Sequence, residues 1–307
     1  MTEKAVTKKN SQKQKFILSE KIKRNIFGWL MMSMGIICFL VFIIQPIIVG
    51  AYMSFFETKG FETVKFIGLQ NYRDVITDSL FIKTVFNSCK YTFWSLLIGG
   101  FTPLIIAIML NEVVKGKGFF RFSVYFPCVI PGIVTAIMWK VLFQPDMNGF
   151  LNMLFAKINL GPFKWLQDTR MTIPLITATM TWGACGSTTL IYLASLQSVD
   201  TSLYEAAELD GSGFFGKIRY VTLPHVSGLL KMMLIMQIMN VFKVFQQPLA
   251  MTGGGPANES ISLMMTAYNY AFSYMEVGRS TAVGMITATI LCVFSVIYFK
   301  MTGKKEA

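Results

Sequence analysis

The chain has 307 residues, 53% of them hydrophobic and only 14% charged, with a mean hydropathy of +0.53. A soluble domain could not hide so much apolar surface from water, so the composition excludes a water-soluble globular protein and indicates a polytopic membrane protein. The formal charge of +12 is concentrated in the tails. Beside apolar runs it reflects the preference of Lys and Arg for the cytoplasmic side rather than a nucleic-acid surface.

In chain order, residues 1–25 form a basic tail carrying Lys4, Lys8, Lys9, Lys13, Lys15, Lys21, Lys23 and Arg24. The apolar run Trp29–Ala51 exceeds a signal-peptide core and lacks a small-x-small cleavage site, so it is expected to stay as a membrane anchor. Residues 26–82 comprise this span and an external segment. About 20 apolar residues cross a hydrocarbon core, and five further stretches qualify: Tyr91–Leu110, Phe122–Phe143, Ile173–Leu196, Leu229–Ala250 and Ala282–Met301. They fall in a core of residues 83–303, before a short tail at 304–307. The expected fold is an all-α bundle of six transmembrane helices. Lys115, Lys117 and Arg121, and then Lys300, Lys304 and Lys305, place both termini and the loop after the second span in the cytoplasm. The five cysteines, Cys38, Cys89, Cys128, Cys185 and Cys292, show no CxxC pair and read as packing thiols, with no metal site.

Threading six spans returns residues 199–228 to the cytoplasm, although Asp200, Glu205, Glu208 and Asp210 make this loop acidic. A loop that departs from the charge bias suggests a surface shaped for a partner. Ser202-Leu203-Tyr204-Glu205 has the form of a capping box, with Ser202 at the N-cap. Ala206 and Ala207 keep one side thin for close approach. Gly211 and Gly213 permit a reversal; Phe214, Phe215 and Ile218 give a second short helix an apolar face, and Leu223-Pro224 is expected to stop it.

The spacing Glu205-Ala206-Ala207, three residues, Gly211, nine residues, then Val221-x-Leu223-Pro224 resembles the EAA loop of permease subunits in ATP-driven, binding-protein-dependent importers. Phe66-Ile67-Gly68-Leu69-Gln70-Asn71-Tyr72, the stretch from Tyr125 to Asn152, the run from Ile191 to Gly211 and the Gly-Gly-Pro segment Met251–Ser260 are similar to the maltose- and glycerol-phosphate-type sugar branch. Ser212, Ile218 and Val221 depart mildly from the pattern. The resemblance implies a type I importer permease fold in the cytoplasmic membrane of a bacterium or archaeon. It assigns Glu205, Ala206, Ala207, Asp210, Gly211, Phe215 and Pro224 to coupling with two copies of a cytoplasmic ATPase. It also implies a second permease chain, as a heterodimer, and an extracytoplasmic sugar-binding protein. This chain carries no G-x-x-x-x-G-K-[ST] phosphate loop. It is therefore expected to bind no cofactor and to be no enzyme, with ATP and Mg used by the partner.

For the substrate path, Gln237, Asn240, Lys243 and Gln247 recur at three- or four-residue steps and would share one helical face. They suit sugar hydroxyls, or equally interhelical hydrogen bonds with Lys243 snorkelling outward. Trp182, in a cluster with Thr177, Thr181, Gly183, Gly186, Ser187 and Thr188, is a candidate sugar-stacking ring; close helix packing explains the rest. The alternatives are a permease for a non-sugar solute, an intramembrane enzyme and a secondary transporter. His225 is the only histidine, which leaves little for an enzyme; neither duplicated halves nor intramembrane acids favour the secondary transporter.

Overall fold

The computed structural model describes residues 25–113 and 115–302; the basic tail up to Arg24 and the 304–307 tail lie outside the described residues. The chain divides into two compact units, 1–53 and 54–307. The first holds a single helix, α1 (Asn25–Met53), apolar along its length. Its turn at Leu40–Ile44 widens to π geometry, with Gln45 N–H bonded to the Leu40 carbonyl. Pro46 follows two residues later. Its ring would strike the carbonyl four residues back, and a widened turn moves that carbonyl aside.

The second unit opens with a two-stranded antiparallel hairpin, β1 (Phe56–Lys59) and β2 (Glu62–Phe66). This corrects the expectation of a purely helical chain. The pairs Glu57 with Lys65 and Lys59 with Glu62 face each other across the ladder, and Phe56 packs edge-on to Phe66 at 5.3 Å. The short helix α2 (Gln70–Thr77) is tied back by Asn71, whose Nδ2 donates to the carbonyls of Ser54 and Phe56 at 2.9 and 2.8 Å.

Next come α3 (Ser79–Gly99), α4 (Thr102–Glu112), α5 (Lys117–Val129), α6 (Gly132–Leu142), α7 (Phe150–Ala156) and α8 (Thr172–Leu196). The helix of the 199–228 loop is α9 (Thr201–Leu209) and the long helix after it α10 (Phe214–Phe242). The chain ends with α11 (Gln246–Thr252), α12 (Leu263–Tyr268) and α13 (Val277–Thr302). Among the described residues, four helices are long and apolar enough to cross a membrane: α1, the α3–α4 run, α10 and α13. The bent pair α5 and α6 makes a fifth if it counts as one span.

The expected third span is therefore not straight. α5 and α6 meet at 96°. Ile130 precedes Pro131, which drives it out of the helical region to φ −74°, ψ 127°, and Pro127 removes a donor from the turn before. α8, by contrast, is one continuous helix of 25 residues, about 37 Å at 1.5 Å per residue. Its Thr-, Gly- and Ser-rich middle makes it less apolar than the four spans above, because its neighbours are protein. It packs against α3, α4, α5, α6, α10 and α11. Thr177, Thr179 and Thr189 return their hydroxyls to carbonyls four residues back on α8 itself, so these three buried hydroxyls are satisfied.

The fifth span also differs from expectation at both ends. Pro224 does not stop the loop's second helix. The helix runs on from Phe214 through a π turn at Ile218–Thr222, and Pro224 follows two residues later, the arrangement already seen at Pro46. At the other end α10 finishes at Phe242, and the break falls on Lys243–Phe245. Pro248 explains the position, since its ring would collide with the carbonyl of Val244 if the helix continued.

Candidate transport cavity and coupling loop

Where α3, α8 and α10 meet they form a half-open cavity of about 280 Å³. Ser95, Gly99, Thr181, Tyr192, Gln237 and Asn240 line it, with Met180, Met233 and Met236 on its apolar walls. Gln237 donates from Nε2 to both the carbonyl and the hydroxyl of Ser95 at 2.7 Å, which joins α10 to α3. Gly99 makes room for this: a Cβ there would lie 2.7 Å from Gln237 Nε2 and 2.8 Å from Thr181 Oγ1. Of the expected polar stripe, only Gln237 and Asn240 reach the cavity. Lys243 caps the end of α10, exposed and outside the helix, and Gln247 sits on α11 beside Gly132 of α6. The four do not share one helical face, because Pro248 has broken the helix between them. Trp182 turns its ring edge-on to Trp139, 5.7 Å between centroids, instead of lining the cavity.

Sequence reasoning missed Ser95, Gly99 and Tyr192. The Gly99-Gly100 pair inside an apolar run, four residues after a serine, was the available signal. In an apolar helix, small residues at i and i+4 mark a face that something approaches closely.

At one end of α10 the expected coupling loop, residues 199–228, is folded by its caps. Asp200, not Ser202, is the N-cap of α9: its Oδ1 accepts from Ser202 N–H at 3.0 Å, which holds its carboxyl below the usual carboxylate range. An Asp accepts more strongly than a Ser, and the helix starts two residues earlier than a Ser202 cap requires. Gly211 adopts φ +78°. Gly211 N–H bonds to the Glu208 carbonyl and Ser212 N–H to the Ala207 carbonyl, both at 2.9 Å, forming a Schellman motif. Gly213 is extended and contributes no left-handed turn. Lys217 reaches back to Glu208 at 2.6 Å, lowers its carboxyl pKa and clamps the two helices of the loop together.

Tyr204 and Thr222 share a hydrogen bond at 3.1 Å above a cleft that also touches Asn111 and Glu112 at the end of α4. Glu205, Ala206, Asp210, Gly211 and Pro224 are exposed and Ala207 is half-buried. Leu209 is 89% and Phe215 81% exposed. Both lie on a loop whose first helix is capped at each end.

At the other end of α10 the glycine-rich segment Met251–Ser260 is pinned to α3. Asn87 Nδ2 donates to the carbonyls of Asn258 and Ile261, and Tyr91 donates to that of Ser260 at 2.9 Å. Lys83 and Lys90 both pair with Glu259, at 2.9 and 3.0 Å, and their hydrogen bonds hold its carboxyl below the ordinary range. Among the described residues no cluster of three His, Cys, Asp or Glu side chains is arranged to hold a metal.

Comparison with known proteins places this architecture. Residues 99–301 match the family described as binding-protein-dependent transport system inner membrane component. The chain is 30% identical over 270 residues to the arabinooligosaccharides transport system permease protein AraP of Bacillus subtilis, covering 87% of this chain and 86% of that protein. It is 29% identical to the trehalose/maltose transport system permease protein MalF of Thermococcus litoralis, covering 92% and 95%. A chain of a bacterial ABC transporter involved in import of the acidic polysaccharide alginate superposes with a TM-score of 0.84 at 23% identity, over 94% of this chain and 99% of that one, and shares its fold. With an apolar helical bundle and a match over two thirds of its length, the chain belongs to the family of inner-membrane components of binding-protein-dependent transport systems.

Proposed function

We propose that this chain is one permease subunit of an ATP-driven sugar or oligosaccharide importer, paired with a second, different permease chain. Six spans are counted by adding α8 to the four apolar helices and the bent α5–α6 pair. Both termini and the loop around Glu205 then face the cytoplasm, and the Met251–Ser260 segment faces outside. The cavity between α3, α8 and α10 is this subunit's part of the substrate path, with Gln237 and Asn240 at its wall and Lys243 near its outer end. The EAA loop docks into a cleft of one of the two partner ATPases, which bind ATP and Mg and supply the energy. A sugar-binding protein delivers solute from outside; support comes from a bacterial alginate ABC transporter of similar fold, solved in complex with a periplasmic protein that holds an alginate pentasaccharide.

The observation that carries this reading is the loop itself: α9 is capped at both ends, and Leu209 on it and Phe215 on the next helix are left exposed. Gly211 lies at φ +78°, where a β-branched residue is strongly disfavoured. Gly211→Val is therefore expected to displace the docking helix, weaken ATPase binding and abolish uptake while the spans still insert. Glu205→Gln leaves the Asp200 cap intact and removes only charge; it is expected to impair solute-stimulated ATP hydrolysis more than permease abundance. Both are measured in vesicles reconstituted with ATPase and binding protein. Wild-type uptake and stimulated hydrolysis in Gly211→Val would remove the loop from the coupling path.

A further inference from the structure

Between α6 and α8 the chain displays an apolar face that the described residues leave uncovered. On α7 Phe150, Met153 and Leu154 recur at three- and four-residue steps and share one side of the helix. Met147 before them and Ile158 and Leu160 after them are apolar too, and all six are between 44% and 64% exposed. The opposite side is fixed. Asn152, 2% exposed, donates from Nδ2 to the carbonyls of Asp146 and Phe163 at 3.1 Å, and its Oδ1 accepts from Phe163 N–H at 3.0 Å and from Trp165 Nε1–H at 2.8 Å. Leu151 and Phe155 pack on the core around Phe143, Trp165 and Ile173, at the end of α6 and the start of α8. A buried polar hub with its partners in place holds α7 rigidly, so the apolar face cannot roll inward.

Position and charge indicate what covers it. α7 is fastened where α6 leaves and α8 enters the bilayer in the six-span reading, and the last turns of α6 display Ile137 and Val141, also apolar and exposed. Lys157, the C-cap of α7, comes four residues after Met153 and three after Leu154, at the end of the apolar stripe, and Lys164 follows. Both are exposed, and among the described residues neither is paired with an acid. Apolar side chains on one face with ammonium groups at its edge suit a helix lying in the plane of a membrane interface, the lysine stems in the apolar layer and their charges at the phosphates. A solute-binding protein that departs after each delivery would return the face to water, and a permanent protein interface is depleted in Lys. Lipid meets neither objection.

From this arrangement we infer that α7 is an interfacial helix of the external leaflet, its apolar face among acyl chains and Lys157 and Lys164 on the phosphates of anionic phospholipid. The inference takes from the transport reading only that α6 and α8 span the membrane with α7 outside.

The test uses the full complex in vesicles, cysteine-free apart from Met153→Cys, which carries an environment-sensitive fluorophore. Quenching by a nitroxide held high on the lipid acyl chain is compared with quenching by aqueous iodide, in phosphatidylcholine alone and with phosphatidylglycerol added. Lipid quenching is expected to exceed iodide quenching, and phosphatidylglycerol to raise the ratio of the two. Lys157→Gln should lower that ratio about fivefold in the mixed vesicles, and Lys157→Arg should keep it at the wild-type value.

Iodide quenching as strong as lipid quenching would leave the face in water, and the absence of both would put it under protein; either result overturns the inference. A lipid signal indifferent to phosphatidylglycerol and to Lys157→Gln would overturn the anionic contact. The reading beneath is tested apart, since Lys164→Cys should react with an impermeant thiol reagent in intact cells. Reaction there without lipid quenching at position 153 overturns only the interfacial helix. No reaction would mean that the segment between α6 and α8 is not external, and the six-span reading fails with the inference.

Discussion

Gly186 and Gly183 lie one turn apart on α8, and only one of them is held by its surroundings. A Cβ at Gly186 would come 2.2 Å from the Val124 carbonyl oxygen and 2.8 Å from Tyr125 Cα, both backbone of α5, which cannot swing away as a side chain can. At Gly183 the nearest atom is Thr135 Cγ2 at 3.8 Å, ordinary contact. Gly186→Ala should therefore force α5 off α8 at a cost of about 1–3 kcal/mol, while Gly183→Ala should be nearly neutral. Thermal unfolding of the purified complex checks the pair; equal melting temperatures would mean the crossing is looser than the structure shows. Both glycines were legible as small residues in an apolar helix, but which one carries the crossing was not, since that depends on where α5 passes.

Elements here are shaped by their ends and breaks more than by periodicity. Two prolines within long helices, Pro46 and Pro224, follow π turns, whereas Pro131 and Pro248 coincide with breaks. The residue type alone does not distinguish these outcomes. Fastening of the Met251–Ser260 segment to α3 is partly electrostatic, and its pH dependence follows from Glu259. Its folded-state pKa is depressed, so the stabilisation is full above the ordinary carboxylate pKa and is lost as pH falls through the lower folded value. Glu259→Gln should cost about 0.5–1 kcal/mol at pH 7 and flatten the loss of stability as pH falls through and below the ordinary carboxylate range. Unfolding curves of both forms across that range decide it. Parallel pH profiles would mean Lys83 and Lys90 contribute nothing through this carboxylate.

For the molecule as a whole, orientation follows from putting the two ends of α10 on opposite sides of the membrane. Single cysteines on a cysteine-free background report it. Asn258, exposed on the glycine-rich segment, should react with an impermeant thiol reagent in intact cells, and Gly213, exposed on the coupling loop, should not. Labelling of position 213 from outside would invert the bundle and separate the loop from any cytoplasmic ATPase.

Composition, the charge bias and the Glu205–Pro224 spacing by themselves pointed to a membrane-embedded helical permease of the family that the chain belongs to. Those signals are local: hydropathy over about 20 residues, a glycine where φ must be positive, acids where an inner loop is ordinarily basic. Only the tertiary structure decided that α8 is the central helix, since its polar middle is explained by six protein neighbours and not by its own composition. Likewise, only the fold brought Ser95, Thr181, Tyr192 and Gln237 around one cavity and sent Lys243 and Trp182 elsewhere. These residues are up to 142 positions apart. Their meeting depends on how three helices cross and where prolines interrupt them, which no single-helix periodicity contains.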